Sequence, residues 1–153
     1  MHPSVEGLIP HRGAMCLLDS VESWNEHTIV CRATSHRRPD HPLRCGADLY
    51  ALCAIEYGSQ AVAAHGSLLA GSVSAQDGRV LASVRDVVIN VAVLDDLVEP
   101  LTVRAELVLA HDHGRIYDIS VTAGSTTVLT GRIVVMAHPL AKEASPGESR
   151  VWP

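Results

Sequence analysis

Phenylalanine is absent from this sequence and aromatic residues make up only 3% of it. The core therefore has to be built from Val, Leu, Ile and Ala rather than from stacked rings. No cysteine pair has CxxC spacing, and Cys16, Cys31, Cys45 and Cys53 show no metal-ligand rhythm. They read as free thiols of a reducing compartment, with no zinc or other metal. An excess of positive charge is missing as well: the net charge is −5, which argues against nucleic acid as the main partner. The opening "MHPSVEGLIPHRG" has neither the basic start nor the apolar run of a signal peptide. The most apolar segment is interrupted by Glu56, Gln60 and His65, so no membrane span is expected. Together these point to a cytoplasmic protein. At 153 residues the chain fits one domain, taken as residues 1–140 and followed by a polar, Pro-bearing tail, 141–153, that is expected to be flexible.

What is present has a clear order. "MCLLDSVESW" and "HTIVCRATS" read as two strands joined at "NE". A loop rich in His and Arg, residues 36–47, feeds an Ala- and Leu-rich stretch without proline from Asp48 to about Leu69. That stretch reads as a helix with Asp48 as its N-cap. After "AQDG" come four strand-like runs, "RVLASVRDVVINV", "LTVRAELVLAH", "RIYDISVTA" and "TTVLTGRIVVMA", expected to form an antiparallel meander. In the second run Leu101, Val103, Ala105, Leu107 and Leu109 alternate onto one face. The fold class is α+β. A helix apolar nearly all round cannot lie on a sheet with one face in water. A curved sheet has to cover one side and a partner subunit the other.

Glu56 is the one charged side chain between Asp48 and Asp77. It shares a helical face with Leu49, Leu52, Cys53, Gln60 and Ala63, while Ala51, Ala54, Gly58 and Val62 occupy the opposite face. Burying an unpaired carboxylate costs several kcal/mol, and a carboxylic acid kept protonated in an apolar pocket is what general acid chemistry needs. A structural network through Gln60 or Tyr57 is the competing reading. His41, fifteen residues upstream, supplies a complementary base at the mouth of the helix.

These residues resemble a known family. "LIPHRGAMCLLDSV" is similar to the opening of bacterial β-hydroxyacyl-acyl-carrier-protein dehydratases, and "HPLRCGADLYALCAIEYGSQAVAAHGSL" resembles their catalytic loop and central helix. The "IEYxxQAVAAHG" form is most similar to the branch found with aryl-polyene and related polyketide-like pathways. The resemblance implies a hot-dog fold, a curved antiparallel sheet wrapped around one long helix, as a homodimer or higher oligomer joined edge to edge. It implies that His41 takes the C2 proton of a 3-hydroxyacyl thioester and that Glu56 of a second chain protonates the departing hydroxyl, without a cofactor. Backbone N–H groups of Ala51 and Leu52 would polarise the thioester carbonyl, with Gln60, Tyr57 and Cys53 lining the substrate tunnel.

Departures from the family pattern bear on these assignments. The loop lacks the fuller His-Phe-Pro-x-His-Pro run, Tyr50 and Ala51 stand at the Pro-Gly positions, and His41 lies one residue further from the acid than the family's histidine. His36 competes with His41 as the base, and spacing favours His41. His11 and Arg12 match the N-terminal motif and read as packing and loop support. Arg37, Arg38 and Arg44, ordinarily a solvated face, suit docking of an acidic acyl carrier protein or its phosphopantetheine phosphate. A hot-dog thioesterase, with Glu56 activating water, is the alternative enzyme. A non-catalytic acyl-binding or partner subunit is the alternative outside enzymes.

Overall fold

The computed structural model describes residues 4–71 and 79–137; the "AQDG" break and the tail 141–153 fall largely or wholly outside them. Two strands, β1 (Ser20–Trp24) and β2 (Thr28–Ala33), precede helix α1 (Ala54–Ala70), which a 3-10 turn at Ala51–Cys53 introduces. Four longer strands follow: β3 (Arg79–Ile89), β4 (Leu101–His111), β5 (Gly114–Ala123) and β6 (Thr126–Ala137). All pair antiparallel in one sheet of order β1-β2-β4-β5-β6-β3. The helix packs against β2, β4, β5 and β6, so the sheet wraps it as its apolar composition requires.

The expected four-strand meander holds for β4–β5–β6 but not for β3, which pairs with β6 at the sheet edge. The chain leaving β3 passes the entrance of the helix before it reaches β4. There Tyr50 bridges Val93, and Leu94 N–H donates to Leu49 O at 2.7 Å. That crossing takes β4 to the far side of the sheet.

Asp48 is not the helix cap. Its backbone closes a turn with Cys45 (2.9 and 3.3 Å), and the helix starts through Cys53 N–H on Tyr50 O without a side-chain cap. Gly71 ends it at φ +67 with its N–H on Leu68 O, a left-handed stop that glycine adopts without strain. The small-residue face does pack closely: a Cβ added at Gly58 would lie 2.5 Å from Ile119 Cδ1. Along β4, Leu101, Val103 and Ala105 are buried as the alternation predicts. An irregularity between Leu107 and Leu109 breaks the register and leaves Leu109 exposed. His65, fully buried, is satisfied by Tyr117 Oη at 2.9 Å and Asn25 O at 2.8 Å. Among the described residues no helix is long and apolar enough to cross a membrane.

Candidate active site

The first turns of α1 and the two loops that cover them gather most of the predicted site residues. Gln60 is fully buried, and its amide orientation is forced by backbone: Oε1 accepts Leu17 N–H at 2.9 Å, and Nε2 donates to Met15 O at 2.7 Å. The second Nε2 hydrogen reaches Glu56 Oε1 at 3.2 Å. His11 Nε2 lies 3.0 Å from the same oxygen. The sequence suggested a lone carboxylate in an apolar face. In the structure Glu56 is 30% exposed at its side chain and held by two partners. It also sits in the helix's first turn, where the dipole favours a negative group.

His41 is 3% exposed and lies in the loop before the helix. Its Nδ1 receives Leu43 N–H at 3.1 Å and its Nε2 faces Tyr57 Oη at 3.0 Å. Burial, then the nearby charges of Arg44 and Arg38, push the imidazole below its ordinary value. Tyr57, expected beside Glu56 or along the tunnel, is instead buried against His41 and Ser35. Burial pushes its phenol up to about 12. His36, the competing base, is fully buried with Nε2 on Leu97 O at 3.1 Å. It faces the chain leaving β3 rather than the helix. Within one chain His41 and Glu56 therefore have different partners: Tyr57 for the first, His11 and Gln60 for the second.

The three arginines divide. Arg44 is spent on the loop, with its guanidinium on Arg38 O, Ala47 O and the Asp95 carboxylate. Leu49 N–H, then Arg44, hold Asp95 below the usual carboxylate range. Arg38 pairs with Asp40 at the surface, and Arg37 donates to Val98 O. A cavity of about 310 Å³ opens between His36, Arg37, Arg44, Asp95, Leu97 and Val98. At the helix entrance the Ala51 N–H, read as a donor for a thioester carbonyl, is already taken by Ala92 O at 3.0 Å. Leu52 N–H has no acceptor among the described residues, and the Leu52 side chain is 56% exposed. Cys53 is half-buried against Leu43 O, and burial pushes its thiol up.

Sequence reasoning assigned His11 to loop support, and its contact with the acid was missed. The motif around it was the available signal. Ser35 and Asp95 were not singled out at all, because their partners lie far along the chain.

The sequence matches the ApeP-like family, described as ApeP dehydratase, over residues 3–145. No curated protein matches it. Among solved structures, the dehydratase heterocomplex ApeI:P from Xenorhabdus doucetiae is similar at TM-score 0.77 and 19% identity, over 92% of this chain and 95% of that one. The HP0420 homologue of Helicobacter felis is similar at TM-score 0.61 and 13% identity, over 87% and 99% of the two chains. A mutant of thioesterase PA1618 from Pseudomonas aeruginosa reaches TM-score 0.51 at 10% identity, over 76% and 78%. At such identities the likeness carries the fold alone. That fold is the hot-dog fold: one antiparallel sheet curved around one long helix.

Proposed function

The chain belongs to the ApeP dehydratase family, and from that premise we propose that it removes water from a 3-hydroxyacyl thioester carried on an acyl carrier protein, giving the trans-2-enoyl thioester. His41 takes the C2 proton, and the C–H electron pair becomes the C2–C3 double bond. The C3–O bond breaks, and the hydroxyl leaves as water with the proton of Glu56 from a second chain. Returning the proton from His41 to Glu56 resets the pair. Leu52 N–H, near the start of the helix, supplies the donor for the thioester oxygen. Tyr57 supports His41 rather than touching substrate. Gln60 orients the acid, and Cys53 lines the entrance. Arg37 and Arg38 are the guanidinium groups for the carrier or its phosphate, with Arg44 shaping the loop behind them. The reading needs no cofactor and places the reaction in the cytoplasm.

The observation that carries this reading is the dehydratase-family match along residues 3–145. A buried imidazole and a partly exposed carboxyl at the helix entrance are its chemical support. A second reading has its own observation. Both nitrogens of His41 are engaged within its own chain, which favours a subunit that contributes Glu56 to a heterodimer and leaves the base to its partner. Single-turnover conversion of a 3-hydroxyacyl carrier substrate, followed by mass, separates them. Loss of water in the wild type, abolished in both His41→Ala and Glu56→Gln, supports the first reading. Abolition in Glu56→Gln alone, or activity only after a partner subunit is added, supports the second. Loss of the acyl group means a thioesterase.

A further inference from the structure

Three buried side chains form an ordered chain of hydrogen bonds whose direction two backbone groups decide. The Leu17 carbonyl can only accept, so Ser35 Oγ, 2.7 Å away, spends its hydrogen there. Tyr57 Oη, 2.7 Å from Ser35 Oγ, must then donate to it. With its hydrogen spent, Oη can only accept from His41 Nε2 at 3.0 Å. That places the imidazole hydrogen on Nε2. At the other side of the ring the Leu43 N–H can only donate, and it meets Nδ1 at 3.1 Å. Nδ1 is therefore the nitrogen with the lone pair. The two ends of the relay fix the same tautomer independently. Ser35, His41 and Tyr57 are 5%, 3% and 0% exposed, so water does not offer an alternative pattern.

We propose that Tyr57 and Ser35 are positioning residues that fix His41 in its Nε2–H tautomer, leaving Nδ1 as the nitrogen that accepts the substrate proton. The assignment of the accepting nitrogen rests on the reading of His41 as the base. The tautomer does not. When Nδ1 takes the C2 proton, the ring becomes an imidazolium whose Nε2–H stays on the Tyr57 oxygen, and the relay orients the charge without transferring a proton itself. The Leu43 amide has to give up Nδ1 as the substrate arrives.

The test is nitrogen-15 NMR on protein labelled at histidine, with His41 assigned by the signals lost in His41→Ala, alongside single-turnover rates. In the wild type above neutral pH the expected spectrum shows Nε2 protonated and Nδ1 bare. Ser35→Ala frees the Tyr57 hydroxyl to donate to Nε2, so its His41 should shift toward the Nδ1–H form. Tyr57→Phe should lose the single-tautomer pattern. Both variants should slow the chemical step roughly ten- to a hundredfold, the scale on which loss of the hydrogen-bond partner behind a metal-bound histidine acts, with carrier-substrate affinity unchanged. A wild-type His41 protonated at Nδ1 overturns the relay. So do variants whose tautomer and rate match the wild type. His41→Ala that dehydrates at the wild-type rate overturns Nδ1 as the acceptor together with the base reading, while the tautomer stands or falls on the spectra.

Discussion

Glu56 Oε1 and His11 Nε2 meet at 3.0 Å within one chain, and Gln60 Nε2 donates to the same oxygen. The other carboxyl oxygen carries no hydrogen bond among the described residues. If the acid delivers a proton, it is from Oε2, the oxygen its own chain leaves open. Glu56→Gln keeps a side chain of the same shape, and the partly exposed pair it alters is worth little to stability, about 0–1 kcal/mol. The urea midpoint of that variant should match the wild type, while dehydration falls by about 10²–10⁴. His11→Ala should cost less rate, since Gln60 still holds the carboxyl. A His11→Ala variant as inactive as Glu56→Gln would make His11 a direct participant.

Much of this arrangement could be read beforehand, and the failures have identifiable causes. The strand limits of β4 and β6 and the long apolar helix follow from local pattern, because alternation and composition are properties of neighbouring residues. His41, Glu56 and Gln60 stood out by type and spacing. The pairing of β3 with β6, the use of Ala51 N–H by Ala92, and the capture of Arg44 by Asp95 were not legible. Each depends on where residues 90–100 cross the helix entrance, which no local pattern encodes. Asp48 failed as a cap because its backbone was already committed to the Cys45 turn.

The approach of helix to sheet at Gly58 gives a stability prediction. Gly58→Ala gains up to about 1 kcal/mol of helix propensity, but its methyl would meet Ile119 Cδ1 at 2.5 Å, and overpacking costs about 1–3 kcal/mol. The net expectation is a loss of about 0–2 kcal/mol. Ile119→Val removes the offending carbon, so the double variant should be less destabilised than the sum of the two singles. Additive losses in urea denaturation would show that the helix moves away instead.

Acid should weaken the fold first through its buried histidines. Burial, first among the causes, holds the imidazoles of His36, His41 and His65 below their ordinary value. Unfolded chains take up protons on these residues near pH 6.5, above the folded values. The unfolded state then binds more protons, and stability falls as pH drops through that point toward the folded values. Asp95 and Asp118, held down by their hydrogen-bond and arginine partners, lose their contribution only at lower pH. The urea midpoint should be lower at pH 5.5 than at pH 7.5. A midpoint that is equal or higher at pH 5.5 would contradict the burial of these histidines.

Strand β3 is left at the edge of the sheet. Along β3, Val80, Leu81, Val88 and Ile89 are 42–53% exposed, although a long apolar edge is an aggregation hazard unless something pairs with it. A second copy, added strand to strand, is the cover that fits the proposed function, since that reading pairs His41 of one chain with Glu56 of another. Leu81→Lys or Val88→Lys should shift the protein from dimer to monomer in light scattering and lower activity with it. A sharper test mixes two inactive proteins, His41→Ala and Glu56→Gln, after mild unfolding and refolding. If each site draws its base and acid from different chains, one of the two sites in every mixed dimer is intact, and random assortment restores about a quarter of wild-type activity. If both residues serve from the same chain, each chain of a mixed dimer lacks one of them and neither site is intact. The mixture then stays dead, so recovery on mixing distinguishes a shared site from one contained in a single chain.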